Sequence, residues 1–226
     1  MSWVLDNLDL VGSLLFTHLW QSLVPLTIGF ALSIPLGWVA WRFRLLRSGI
    51  VLVTGLLYTI PSLALLTILP GMLGLPINSA ANLMAALTIY VIALLVRAVV
   101  DGLDAVGEEV RFAATATGFS ALRRLWAVEL PLAAPVILAG LRVAAASTIA
   151  LATVGILVGV TNLGYLFTNG LQRRIVPEVL TGVLAVVVVA VIVDLLLIGA
   201  GRLLLPWQRT VNRRAHHTPT LTAAMS

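Results

Sequence analysis

The ionisable side chains of this chain are few, and their kinds restrict the chemistry open to it. The 226 residues hold fourteen cations, nine carboxylates, three histidines and no cysteine, and every cation is an arginine. With no lysine there is no GxxxxGK[ST] phosphate loop, so nucleotide energy could enter only through another chain. With no cysteine, disulfides and thiolate metal sites are excluded. His18 stands alone, and His216 with His217 sits in a polar tail, so no metal site is expected. An enzyme working at a membrane interface would need a carboxylate or histidine cluster, which is absent. Three charges, Arg97, Arg142 and Asp194, fall inside long apolar runs, where charges are rare and usually paired. Asp194 precedes Arg202 by about 12 Å of helix, and Arg142 follows Pro131 by about 16 Å. The two therefore sit at similar depth, and a buried pair of Asp194 with Arg142, or with Arg97, is expected.

The densest charge lies in Val106–Pro131, which reads VGEEVRFAATATGFSALRRLWAVELP. Asp104, Glu108 and Glu109 are placed where a helix N-terminus favours carboxylates. Val110, Ala114, Thr117 and Ala121 recur at helical spacing. Gly118 should interrupt that helix, and Ser120 should cap a second, short one running through Trp126. A helix–glycine–helix element of this polarity cannot span a bilayer. Its natural use is to dock on something soluble. Arg111, Arg123 and Arg124 can serve such a surface, face water, or meet anionic lipid.

The elements that must position these residues are membrane spans. The chain is 60% hydrophobic and 10% charged, against about 25% charged for a soluble domain. The periodicity predicts an all-α polytopic membrane protein with five spans, near 14–41, 50–69, 82–100, 131–157 and 179–205. Pro25 and Pro35 should kink the first, and Pro61, beside Tyr58, Thr59 and Ser62, should bend the second toward any path through the protein. Residues 70–79 read as a Pro/Gly turn region, and 159–177 as an ordered loop with a short helix. Residues 1–13 are expected as an extracytoplasmic segment and 206–226 as a disordered cytoplasmic tail. Trp3, Trp20, Trp38, Trp41, Trp126 and Trp207 flank span ends, as interfacial anchors do, rather than forming an aromatic cage.

Five spans put the termini on opposite sides. With the N-terminus outside, the cytoplasmic side takes Arg42, Arg44, Arg47, Arg97, Arg111, Arg123, Arg124, Arg202, Arg209, Arg213 and Arg214, leaving Arg173 and Arg174 outside. The positive-inside rule selects that orientation and makes the docking stretch cytoplasmic. The net charge of +5 is thus a topology signal, and no nucleic-acid partner is expected.

The docking stretch resembles the cytoplasmic loop signature of ABC importer permeases, E-A-A-x3-G-x9-I-x-L-P. Here it stands as Phe112-Ala113-Ala114-x3-Gly118-x9-Val128-x-Leu130-Pro131, with Phe112 in the glutamate position and Glu109 one turn earlier on the same face. Thr59-Ile60-Pro61-Ser62-Leu63-Ala64-Leu65-Leu66, Leu95-Val96-Arg97 and Ala139-Gly140-Leu141-Arg142 are similar to segments of the osmoprotectant (glycine betaine, carnitine, choline) permeases. Their GAGGLG motif survives only as Gly159-Val160-Thr161-Asn162-Leu163-Gly164. The likeness covers about residues 18 to 205.

What the resemblance implies is a type I (MetI-like) permease of the bacterial cytoplasmic membrane, with domain 14–205 and a coupling loop at 101–130. Its expected partners are a cytoplasmic ABC ATPase dimer carrying ATP-Mg, a second permease (paralogue or identical copy), an extracytoplasmic solute-binding protein and membrane lipid. The chain itself would be no enzyme and hold no cofactor. ATPase coupling would fall to Glu108, Glu109, Arg111, Phe112, Ala113, Ala114, Gly118, Leu130 and Pro131, and the path to Tyr58, Thr59, Pro61 and Ser62. Alternatives are a permease for another small solute, such as an amino acid, or an ATPase-independent secondary transporter.

Overall fold

The computed structural model of the chain describes residues 2–206. Its helices run α1 (Ser2–Asp6), α2 (Leu8–Arg42), α3 (Arg44–Thr59), α4 (Ser62–Leu73), α5 (Ala80–Asp104), α6 (Glu108–Ala116), α7 (Ala121–Arg124), α8 (Leu130–Ala152), α9 (Gly164–Gln172) and α10 (Val176–Leu204). A π-helical turn, Leu125–Glu129, joins α7 to α8, and a 3-10 segment, Thr153–Val158, follows α8. No strand occurs among the described residues. The expected tail, with Trp207, His216 and His217, lies outside the described residues apart from Pro206.

Four continuous helical stretches are long and apolar enough to cross a membrane: Leu8–Arg42, Ala80–Asp104, Ala121–Val158 and Val176–Leu204. The expected second span differs. It starts at Arg44, breaks at Ile60–Pro61 and turns through 110° into α4, so it makes a fifth crossing only as a bent pair. The cause is local. Pro61 offers no N–H and pushes Ile60 into extended backbone (φ −64°, ψ 127°). Helix α4 then absorbs Pro70 and Gly71, expected as turn, and stops at Gly74 in the left-handed region (φ 67°). Pro25 and Pro35 do not interrupt α2.

The first span also begins earlier than residue 14. Asn7 closes α1 by donating to the Trp3 carbonyl (2.7 Å), and α2 starts at once, with Asp9 in its first turn. The fourth span does not begin at Pro131 but continues without interruption from α7. In the wide turn the Leu130 N–H reaches the Leu125 carbonyl, carrying the helix past a proline that has no N–H to give.

Lipid offers apolar side chains no drive to pair, so spans associate through close packing of small residues. Helix α2 buries Ser22, Gly29, Ser33, Gly37 and Ala40 on one stripe. A Cβ added at Gly29 would lie 2.4 Å from Val91, and one at Gly37 would lie 2.6 Å from Val99. Gly140 of α8 meets Ala98 of α5 as closely, at 2.4 Å. Helix α5 is thereby the central post, with Val91, Leu95, Val96 and Val99 fully buried. Helix α10 is the opposite case: Leu184, Val188, Val191 and Leu195 all point outward.

Candidate functional site

The polar stretch folds into two short helices at one end of the bundle. Glu108 and Glu109 open α6 and stay exposed. The helix ends in a Schellman turn: the Gly118 N–H bonds the Thr115 carbonyl (3.0 Å) and the Phe119 N–H bonds the Ala114 carbonyl (3.1 Å). That turn needs a residue at positive φ, which Gly118 supplies at 85°, with open space where a side chain would be. Ser120 then caps α7 by accepting the Arg123 N–H (3.4 Å). The expected apolar stripe is realised in part: Ala114 is buried, but Val110 is 39% exposed and Thr117 already lies in the turn. Phe112 and Leu122 are exposed, at 73% and 59%, as are Ala113 and the two glutamates, while Trp126, 60% exposed, lines an apolar groove with residues of α2, α8 and α10.

What fixes this element is a buried ion cluster with Glu129 at its centre. Its carboxylate is 1% exposed, accepts from Arg124 Nε at 2.7 Å, and lies 3.9 Å from Arg111 Nε. Arg124 Nη1 also donates to Thr115 Oγ1 at 2.7 Å, tying the end of α6 to the π turn. Arg111 donates to the Leu103 carbonyl and stacks 4.6 Å from the Trp41 ring centroid, tying α6 to α5 and α2. Arg111, grouped above with the docking residues, is therefore turned inward and holds the element from behind. Arg123 lies outward over Phe119 (4.6 Å). Leu130 and Pro131 begin α8 and line an apolar groove with residues of α2 and α10.

The residues expected along a path gather at the α3–α4 break. Tyr58, Thr59 and Pro61 are exposed there and Ser62 begins α4. Tyr90 of α5 supplies what the break removes: its hydroxyl donates to the freed Ile60 carbonyl (2.5 Å), and its ring meets Tyr58 edge-on at 6.2 Å. Helix α3 is about 24 Å long from Arg44 to this point, so a crossing that starts at Arg44 meets the break before it clears a hydrocarbon core about 30 Å thick. Interrupted backbone at such depth persists only where protein covers it or water lines it.

Arg142 and Asp194 do pair, in a fork of 2.6 and 2.9 Å that links α8 to α10. The pair is not buried, however: its side chains are 41% and 36% exposed at the edge of the α8–α10 seam. Arg97 is not part of it. It lies near the end of α5, 3.9 Å from Asp101 and largely exposed.

A second polar cluster, at the far end of the bundle, has little trace in the sequence. His18 is fully buried and its Nε2 lies 3.1 Å from the Ile149 carbonyl, where no partner was foreseeable. Asn162 donates to the Ala152 carbonyl (2.8 Å) and to Gln21 Oε1 (2.9 Å) while accepting the Gly164 N–H (2.8 Å). Glu178, also fully buried, accepts from Asn169 at 2.6 Å. The one available sign was the glycine-and-asparagine run at 159–170. Among the described residues no group of three or more His, Cys, Asp or Glu could hold a metal.

With this geometry in place, three comparisons are informative. The model of the family described as "binding-protein-dependent transport system inner membrane component" matches residues 14–210. The osmoprotectant import permease protein OsmW of Salmonella typhimurium is 32% identical over 199 residues, covering 86% of this chain and 92% of that protein. A glycine betaine/carnitine/choline transport system permease protein of Bacillus subtilis, OpuCD, is 30% identical over 192 residues, covering 84% and 82%. In fold the chain is similar to a chain of the MetNI methionine ABC transporter in an inward-facing conformation. The TM-score is 0.72 at 20% identity, over 88% of this chain and 96% of that one.

Proposed function

The chain belongs to the family of inner membrane components of binding-protein-dependent transport systems, and from that premise we propose the solute, partners and orientation of this permease. The solute is a small osmoprotectant of the glycine betaine, carnitine or choline kind. It arrives on an extracytoplasmic binding protein. Its passage is driven by a cytoplasmic ATPase pair that holds the ATP-Mg, and the path is completed by a second permease, identical or paralogous.

The observation that carries this reading is the α6–Gly118–α7 element. It exposes Phe112, Ala113 and Leu122 together with Glu108 and Glu109, and is anchored by Glu129, Arg111 and Arg124. A rigid knob of mixed apolar and acidic character is what a soluble motor can grip. The bidentate Arg47–Asp104 pair ties the α2–α3 junction to the end of α5 on the same side of the bundle as the knob. Trp3, Leu14, Leu163 and Leu166 pack the N-terminal segment against α9 at the other end, near Arg173 and Arg174. The arginine asymmetry supports a cytoplasmic knob and an N-terminus outside. The open α3–α4 break, with Tyr58, Thr59, Pro61 and Ser62, supports a place on the solute path, since water lining is one of the two settings such a break allows.

The test is reconstitution. Co-expressed with its ATPase and binding protein, the chain should co-purify with the ATPase, and proteoliposomes should accumulate labelled glycine betaine only with ATP. Accumulation without ATPase, or an ATPase that never associates, would overturn the proposal.

A further inference from the structure

On the arginine-rich side, α3 and α5 enclose a cleft of about 510 Å³ lined by Arg44, Arg47, Ser48 and Leu52 of α3 and Arg97 and Asp101 of α5, with Val51 and Val100 as floor. A recess of about 370 Å³ shares Arg44 and Arg47 as a wall and adds Arg42, Arg124, Trp41 and one carboxylate, Glu108. Arg47 is occupied, held in the wall by its fork on Asp104. Arg97 lies 3.9 Å from Asp101, too far for a hydrogen bond, and is 73% exposed. Arg44 and Arg42 make no hydrogen bond or ion pair among the described residues. The cleft therefore holds guanidiniums in excess of its carboxylates, over an apolar floor. Away from the arginines the floor continues along α3 through Leu52, Val53 and Leu56, which are 61%, 55% and 57% exposed. From Arg44 to Leu56 is about 18 Å of helix, roughly the reach of one acyl chain.

We propose that the α3–α5 cleft binds the headgroup of an anionic glycerophospholipid of the inner leaflet. Arg44 and Arg97 grip the phosphodiester and the outward face of α3 receives an acyl chain. Basic recesses between spans at the cytoplasmic surface have the right chemistry for such headgroups. A soluble anion would leave the apolar floor without a purpose. A second copy of the chain docking here about a two-fold axis would bring like-charged arginine clusters together, which disfavours self-association. The proposal rests on the inward orientation given above, and is kept separable from it in the test.

The full chain is purified in detergent, with phosphatidylglycerol or phosphatidylcholine added, and retained lipid is read by native mass spectrometry. Wild type should retain phosphatidylglycerol selectively. Arg44→Ala with Arg97→Ala should weaken that retention about thirtyfold, at roughly a fivefold contribution per guanidinium. Neither side chain supports the fold, so melting in phosphatidylcholine should match wild type. Glycerol 3-phosphate should fail to displace the lipid. Equal retention by the double variant, or displacement by glycerol 3-phosphate at matched concentration, would overturn the proposal. So would disulfide dimers of Leu52→Cys in this cysteine-free chain, which would show a protein interface there. Labelling Ser48→Cys from either side of sealed vesicles reports orientation independently: outward labelling would sink the inner-leaflet assignment even with selective retention.

Discussion

Glu129→Ala should free the α6–α7 element while leaving the spans folded. The carboxylate is 1% exposed and is shared by Arg124 at 2.7 Å and Arg111 at 3.9 Å, each about a fifth exposed. Removing one member of a buried ion cluster costs about 3–5 kcal/mol, because the partners keep their charge and lose their compensation. Both arginines can reach water, which places this case near 3 kcal/mol by the same scale. At 1.4 kcal/mol per decade, the ordered population of the element falls roughly a hundredfold against its released form. Few other buried groups hold it, chiefly Ala114 and Leu125. The assay is hydrogen exchange on purified permease. Residues 108–129 should lose about two decades of protection while 85–100 of α5 stay as in wild type. Arg124→Met combined with Glu129→Met should recover part of the loss, since the direct pair is replaced by apolar groups while Arg111 keeps the Leu103 carbonyl and the Trp41 ring. Wild-type protection in Glu129→Ala, or a double variant as loose as the single one, would refute the reasoning.

Other outcomes follow from the same geometry. Gly118→Val meets no neighbour but must hold φ at 85°; strain of about 1–2 kcal/mol should loosen the turn and weaken ATPase co-purification, while membrane insertion stays normal. Gly37→Ala would place a Cβ 2.6 Å from Val99 and should lower stability by about 1–3 kcal/mol in thermal melts, whereas Gly49→Ala, with open space around it, should not. Asn162→Ala breaks bonds to α2, to the end of α8 and to the nearby Gly164 and should cost about 1–3 kcal/mol in the same melts. Arg142→Ala strands Asp194 within the membrane, so its steady-state membrane level should fall; adding Asp194→Ala should raise the level above either single variant, and an unrescued double variant would count against a pairing role.

Much of this was legible because it is local. The positions of Gly118 and Ser120 announce a helix stop and a helix start, and both work by neighbouring backbone bonds that any reader of the chain can anticipate. The Arg142–Asp194 pair was legible from depth alone, since charges in apolar runs must find each other. Its exposure was not, because nothing in a single run states which face another helix will cover. Pro61 signalled a disturbance, but neither the 110° bend nor the donor that meets the opened backbone there, the hydroxyl of Tyr90 thirty positions on, could be read from it. The inward turn of Arg111 and the fully buried His18 belong to the same class. Each is decided by what lies opposite in space, and the bonds that settle it join distant parts of the chain.

The uninterrupted run from Ala121 to Val158 carries a mechanical implication. Its 38 residues make a rod of about 57 Å, longer than the bilayer core is thick. One end is tied to the α6–α7 element through Glu129, the middle is pinned to α10 by a forked ion pair, and the far end meets the Asn162 cluster. A displacement of that element meets no break in the helix, because the π turn carries the backbone through Pro131. It arrives at the opposite face as tilt or rotation of the whole lever.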